Sequence, residues 1–232
     1  MIAKQIAKDI YSIPLGMVNA FLVDRDGLTL IDTGDPGSAD KILTAVSELG
    51  KLPSDIRQIV VTHCHTDHSG SLADLKKLTG AKVYMHKIDA DMVRQGKSLR
   101  PLVPGPGLML RMLFWWFLRS PVSKITPAEI DYEIKDGDEL AFAGGLKVIH
   151  IPGHCAGQVA LLSQRDGGFL FAADVAANNA GLTMSIAYED IEIGKRSIEK
   201  VSKFNFEGAC FGHGSAISKG AAEKFRKLGG SI

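Results

Sequence analysis

Residues His63-Cys64-His65-Thr66-Asp67-His68 put three imidazoles and a carboxylate into six consecutive positions. Neutral imidazole and carboxylate are zinc ligands first, and iron or manganese ligands second. Helix capping would use one such residue, not four. Three more residues of ligand type follow: His154 in Pro152-Gly153-His154, Asp174 after Ala173, and His213 in Gly212-His213-Gly214. Singly they carry little, because a lone histidine is commonly a satisfied core or surface residue and a lone aspartate commonly shapes a turn. Their joint order after the first cluster raises them to candidates for one metal centre.

The elements that must position these residues are legible as hydrophobic runs. Ile56 to Val61 reads as a buried strand and Ser69 to Leu78 as a helix. The first cluster therefore falls on a strand-to-helix turn at a sheet edge, where α/β folds bind ligands. Asn19 to Asp24 and Leu28 to Asp32 form a hairpin around Arg25-Asp26-Gly27. A helix runs from Ser38 to about Leu49, a strand over Lys82 to Met85, and a short helix over Lys87 to Arg94. In the second half, Ile130 to Ile134, Glu139 to Phe142 and Leu146 to Ile151 are strands, and Gln158 to Ser163 pairs with Gly168 to Ala173 across Asp166-Gly167. A helix over Tyr188 to Lys203, a strand Ala209 to Phe211 and a helix Lys219 to Leu228 complete the chain. Strands first and flanking helices later, in each half, fit two sheets packed face to face with helices outside.

Composition bounds the function. At 232 residues, 45% hydrophobic and with a net charge of +1, the chain is ordinary for a globular protein and gives no electrostatic reason to bind nucleic acid. Its N-terminus shows no signal peptide, and three cysteines make no disulfide framework, so a cytoplasmic location is expected. Cys64, Cys155 and Cys210 each lie within three positions of a candidate histidine. Extra thiolate ligation or redox sensing is one reading; small buried residues supporting the site is the favoured one.

The segments Thr62-His63-Cys64-His65-Thr66-Asp67-His68-Ser69-Gly70, Pro152-Gly153-His154, Ala173-Asp174, Gly212-His213-Gly214 and the early Leu30-Ile31-Asp32-Thr33-Gly34 resemble the metallo-β-lactamase fold superfamily. The resemblance spans nearly the whole chain, read as one domain over 1–232. It implies an α+β four-layer αββα sandwich with two divalent metal ions, zinc before iron or manganese. His63, His65 and His154 would hold the first ion, Asp67, His68 and His213 the second, and Asp174 would bridge them. Asp32 would either orient a ligand histidine or make an Asp-Thr-Gly turn. Such a site implies a hydrolase in which a metal-bridging hydroxide attacks a carbonyl, with Asp67 also shuttling the proton to the leaving group.

Within that superfamily the site is similar to the glyoxalase II-like and lactonase-like branches. Only 19 residues follow His213, against the helical C-terminal domain of glyoxalase II, so a thioester other than hydroxyacylglutathione is expected. Lactonases commonly carry tyrosine at the position of Ala177, and Gln158 stands where many relatives have a second histidine. A small ester, lactone or thioester is therefore the expected substrate. The alternatives are an iron-dependent persulfide dioxygenase, a β-lactamase or phosphodiesterase side activity, and a non-catalytic ligand sensor on the same fold. One insertion, at about 96–126, is apolar on almost every side from Leu108 to Leu118 apart from Arg111. At this length it is too short to span a bilayer, which takes about 20 residues. It is expected to wall an apolar substrate pocket with Arg111, Trp115, Trp116 and Phe117; a homodimer contact and a membrane-surface foot are the other readings.

Overall fold

A computed structural model describes residues 2–118 and 123–232. Positions 119–122 of the expected insertion, and the side chain of Phe117, lie outside the described residues. The strands, in chain order, are β1 Lys4–Ala7, β2 Ile10–Pro14, β3 Asn19–Asp24, β4 Leu28–Ile31, β5 Ile56–Val61, β6 Lys82–His86, β7 Val103–Pro104, β8 Tyr132–Ile134, β9 Glu139–Leu140, β10 Leu146–His150, β11 Val159–Ser163, β12 Phe169–Phe171, β13 Ala177–Asn178, β14 Leu182–Thr183, β15 Ala187–Tyr188 and β16 Gly208–Cys210. The helices are α1 Ala39–Glu48, α2 Thr66–Ser69, α3 Leu72–Thr79, α4 Lys87–Arg94, α5 Leu108–Phe117, α6 Ile191–Ser202 and α7 Ala221–Gly229.

One sheet has the order β1-β2-β3-β4-β5-β6-β8 and a second has the order β16-β12-β11-β10-β9. Antiparallel pairing runs from β1 to β4, and parallel pairing from β4 through β5 and β6 to β8. Because strand side chains alternate, each strand divides its apolar residues between two cores. Phe21, Val23, Ile31 and Val60 meet Val148, Val159, Leu161 and Phe171 between the sheets. Leu22, Leu30, Ile59 and Val61 face outward onto Ile42 and Val46 of α1 and Leu72 and Leu75 of α3. Ile149, Ala160, Leu162 and Leu170 face outward onto Ile198 and Val201 of α6 and Phe225 of α7. The layers are therefore helix, sheet, sheet, helix, and strands buried on both faces read as continuous apolar runs, as sheets covered on both sides do.

Three differences from the sequence expectations have local causes. The helix expected over 69–78 is two pieces, α2 and α3, interrupted between Ser69 and Leu72. Gly70 keeps helical angles and, lacking a Cβ that would sit 2.4 Å from both Pro36 and the Thr66 carbonyl, lets the two pack against it; the break itself falls at Ser71, whose φ −100° and ψ 12° leave the helix. The mixed polarity of Lys4–Ala7 and Ile10–Pro14 gives no strand signal, yet both join the edge of the first sheet, half-exposed. β8, grouped by chain order with the second half, pairs in parallel with β6 of the first sheet.

Candidate metal centre

β4 and β5 are parallel neighbours, and the candidate ligands begin where they end. At the end of β4 the Asp32 amide donates to the Val60 carbonyl of β5 (3.0 Å), which turns the Asp32 side chain toward the loop after β5. Its Oδ1 accepts from the Thr62 amide (2.7 Å), and its Oδ2 accepts from the Thr62 hydroxyl (2.8 Å) and from His68 Nδ1 (2.8 Å). Having donated to Asp32, the Thr62 hydroxyl is left to accept from His63 Nδ1 (3.0 Å). His154, just beyond β10, donates from Nδ1 to the Ala187 carbonyl (2.8 Å), and His213, just beyond β16, donates from Nδ1 to the Met17 carbonyl (2.8 Å). Carbonyls and carboxylates only accept, so each of these imidazoles carries its proton on Nδ1 and points Nε2 inward. This is the outer-shell arrangement that fixes metal-binding tautomers.

The inward atoms form two adjoining groups. His65 Nδ1 lies 3.2 Å from His63 Nε2 and 2.9 Å from His154 Nε2. Nitrogens about 2.0–2.1 Å from a tetrahedral zinc would be about 3.3 Å apart, so the spacing fits one ion. Asp67 Oδ2 lies 3.3 Å from His213 Nε2 and 3.8 Å from His68 Nε2. Asp174 lies between the groups: Oδ1 is 3.5 Å from His68 Nε2, and Oδ2 is 3.1 Å from His213 Nε2 and 3.5 Å from His154 Nε2. His63-His65-His154, His63-His68-Asp174 and Asp67-His68-His213 each converge tightly enough to hold an ion. His68 Nε2 and Asp174 Oδ1 are buried without a hydrogen-bond partner. Orphaned polar atoms of this kind are costly unless a ligand meets them, and the donor set fits divalent metal.

Electrostatics separates the two groups in the same way. Burial pushes His63, His65 and His154 toward the neutral form, His65 down to about 3. Burial also opposes charge on His68 and His213, but there Asp174 and Asp67 overcome it; His68 is raised to about 9, and His213 also rises. Burial likewise disfavours the anions of Asp67 and Asp174, yet His68 and His213 hold both well below the usual carboxylate range. Burial thus favours neutral imidazoles in the first group, while the carboxylates favour the protonated form of His68 and His213 in the second.

The centre floors a cavity of about 550 Å³. His65, Asp67, His154, Asp174 and His213 line it beside Asp35 and Ser185, and Leu15, Met17, Leu99, Leu102, Leu118 and Ile186 make its apolar wall. The expected pocket residues that are described lie elsewhere. Arg111, Trp115 and Trp116 line a separate shallow depression on the surface, and Ala177 sits buried in β13. Helical geometry is the reason: with Leu110 and Phe114 seated in the core, Arg111, Trp115 and Trp116 point away from it. Among the described residues of the apolar segment, Leu118 alone reaches the cavity.

Sequence reasoning missed a buried network behind the histidines. Asp89 of α4 is fully buried and accepts from the amides of Cys64 (3.1 Å) and Gly157 (3.1 Å), from Cys155 Sγ (3.0 Å) and from Arg100 Nη1 (2.9 Å). Arg100 also pairs with Glu189 (3.0 Å), which accepts from the Ala156 amide (3.1 Å). Cys64 and Cys155 meet at 3.5 Å, and burial pushes the Cys155 and Cys210 thiols up, keeping them protonated. These contacts clamp the loop carrying His63 and His65 to the loop carrying His154. No local spacing signals them, because Asp89 sits on α4 and Arg100 and Glu189 on loops far apart from each other in the chain.

Comparison with known proteins agrees with this geometry. The Metallo-beta-lactamase superfamily model matches residues 13–213. The YobT protein of Bacillus subtilis strain 168 is 32% identical over 173 residues, 72% of this chain and 66% of its own length. The probable metallo-hydrolase YqjP of the same strain is 27% identical over 224 residues, 88% of this chain and 69% of its own. The acyl-coenzyme A thioesterase MBLAC2 of Homo sapiens is 27% identical over 181 residues, 72% of this chain and 58% of its own. The chain thus spans about two thirds, or less, of the length of these relatives. Among solved structures, BJP-1, a subclass B3 metallo-beta-lactamase of Bradyrhizobium japonicum, superposes with a TM-score of 0.74 at 21% identity, covering 100% of this chain and 92% of that one. The chain belongs to the metallo-beta-lactamase superfamily.

Proposed function

We propose that this protein is a dinuclear-metal hydrolase, zinc-dependent in its working form, that cleaves a small ester, lactone or thioester bearing an apolar group. The observation that carries this reading is the convergence of His63, His65 and His154, and of Asp67, His68 and His213, on either side of a buried Asp174 with an unpartnered oxygen. Bound there, divalent ions supply hydroxide at neutral pH and polarise a carbonyl oxygen.

The chain's own residues do the rest. His63, His65 and His154 would hold one ion, Asp67, His68 and His213 the other, and Asp174 would face both. Asp32 orients His68 directly and His63 through Thr62. Asp67, one third exposed on the cavity side, is the carboxylate able to accept a proton and return it to the leaving oxygen, nitrogen or sulfur. Leu99, Leu102, Leu118 and Ile186 offer the substrate's apolar group a dry wall. The thioester option has support from the MBLAC2 relative, whose name records an acyl-coenzyme A thioesterase.

The test joins elemental analysis of purified protein to a panel of lactones, thioesters, β-lactams and phosphodiesters. About two zinc equivalents and hydrolysis of an acyl thioester or lactone, lost at least about 100-fold in His63→Ala, are expected. Less than one metal equivalent after reconstitution, or unchanged hydrolysis in His63→Ala, overturns the proposal.

A further inference from the structure

Helix α5 presents two apolar faces, and the protein uses only one. At 100° per residue, Leu110, Leu113 and Phe114 fall on one side, where Leu110 and Phe114 are 9% and 7% exposed and Leu110 and Leu113 pack into the outer core of the second sheet. Leu108, Met109, Met112, Trp115 and Trp116 fall within an arc of about 120° on the other side, and they are 61–78% exposed. Arg111 flanks that arc, also exposed. The base of the helix is fixed: β7 pairs with β15, and a Cβ on Gly105 would meet the Ser185 carbonyl at 2.4 Å. The apolar arc is therefore held outward by a seated helix.

The sequence on either side of α5 is one-sided in charge. Between Asp91 and Glu129 the sequence contains six cationic residues, Arg94, Lys97, Arg100, Arg111, Arg119 and Lys124, and no acidic one. Arg94 and Arg100 are used in ion pairs with Asp91, Glu133, Asp89 and Glu189. Lys97, Arg111 and Lys124 have no carboxylate partner among the described residues, and all three are exposed. With the whole chain at only +1, the rest of the sequence is net negative, so the excess of positive charge lies in the stretch that carries α5.

We infer that α5 docks this protein on the surface of an anionic lipid bilayer, lying in the interface with Leu108, Met109, Met112, Trp115 and Trp116 in the acyl boundary and the cations on the headgroups. An exposed apolar arc with tryptophan and flanking cations is the composition of an in-plane membrane anchor, and amphipathic indole suits the headgroup level. A second copy is the competing occupant. A two-fold contact through this arc would set Arg111, which flanks it, against its own copy, and no acidic residue between Asp91 and Glu129 can answer it. Docking is independent of the reaction proposed above; the link to it is Leu118, which follows α5 and lines the metal cavity.

Trp115 and Trp116 are the only tryptophans in the chain, so intrinsic fluorescence reports this surface alone. The full-length protein is titrated with 100 nm vesicles of phosphatidylcholine, and of phosphatidylcholine with about 30% phosphatidylglycerol, while its mass is followed by sedimentation. A blue shift that needs the anionic lipid and weakens with salt is expected. Arg111→Gln should weaken partitioning about fivefold, and Met112→Ser about tenfold, each with unchanged circular dichroism. No shift with anionic vesicles, or equal binding to neutral ones, overturns the proposal. So does a lipid-free blue shift accompanied by a doubled mass, which would assign the arc to a second copy.

Discussion

Replacing Asp89 by alanine should loosen the metal centre without touching a candidate ligand. The carboxylate is fully buried and fully used: Oδ2 accepts from the Cys64 amide and Cys155 Sγ, and Oδ1 from the Gly157 amide and Arg100. In the variant two buried amides lose their partner, at about 1–3 kcal/mol each. Arg100 keeps Glu189 and the Ile88 carbonyl, so its charge is not stranded. Relief from holding a buried carboxylate offsets part of the loss, leaving about 3 kcal/mol net, a large share of the roughly 5–15 kcal/mol a domain has. For a chain of this size that is a fall in Tm of about 6–12 °C. Cys64 sits between His63 and His65 and Cys155 follows His154, so zinc affinity measured by chelator competition should fall as well. Asp89→Asn offers no rescue, because its amide nitrogen faces a donor in either orientation. Urea denaturation of the metal-free protein gives the stability term. A change under about 1 kcal/mol with unaltered zinc affinity would refute the idea that this network clamps the two loops.

Asp32→Asn should weaken zinc binding about 10–100-fold, as loss of an outer-shell carboxylate does, because an amide nitrogen at Oδ2 would oppose both the Thr62 hydroxyl and His68 Nδ1; unchanged affinity in a chelator titration would count against its orienting role. Gly212→Ala would place a Cβ 2.0 Å from Asp174 Oδ1 and 2.6 Å from His68 Cε1. Folded protein should then retain about one metal equivalent fewer by elemental analysis, and wild-type stoichiometry would refute the bridging position of Asp174. Asp131 is held down to about 2: burial opposes its charge, but Lys76, the Val83 amide and Lys82 outweigh it. A depressed carboxylate stabilises the fold above its unfolded value near 4 and loses that contribution as pH falls toward 2. Wild type should therefore exceed Asp131→Asn by about 1 kcal/mol at pH 7, discounted for partial exposure, and the gap should narrow between pH 4 and 3 in urea titrations. A pH-independent gap would assign the effect to packing instead.

Much of the centre was legible because its residues crowd together. The run from His63 to His68 needs no fold to be suspected, and α4 and β5 carry the boundaries their apolar periodicity predicts. Other parts required three dimensions. α5 is apolar on almost every side apart from Arg111, so its periodicity names no face, and only the burial of Leu110 and Phe114 decides which way Trp115 and Trp116 point. The pairs β7–β15 and β13–β14 are two residues long, below what alternation can signal. The cavity wall joins Leu15, Leu99, Leu118 and Ile186 from four distant stretches, none of which has a pattern of its own.

The backbone also shows why the candidate ligands sit at strand ends. A strand sends alternate side chains above and below its sheet, whereas a metal between two sheet edges needs them aimed along the strand direction. The chain makes that turn with uncommon conformations. Asp32, following β4, has φ 62°, and Ala173, just before Asp174, has φ 47°. Left-handed backbone at a non-glycine residue costs on the order of 1 kcal/mol and persists only where the surroundings enforce it. They do so here: the Asp32 amide is tied to Val60, and the Ala173 carbonyl accepts from the Gly212 amide at 3.0 Å. Gly153, at φ 128°, serves His154 in the same way, and a Cβ there would lie 2.3 Å from Gly194 of α6. Gly194 in turn leaves room for the Tyr188 ring, whose hydroxyl accepts from the Ser185 amide, beside the Ala187 carbonyl that orients His154. The strain concentrated around Asp32, His154 and Asp174 is thus matched by packing and hydrogen bonds that have no other evident purpose than to aim those three side chains at one point.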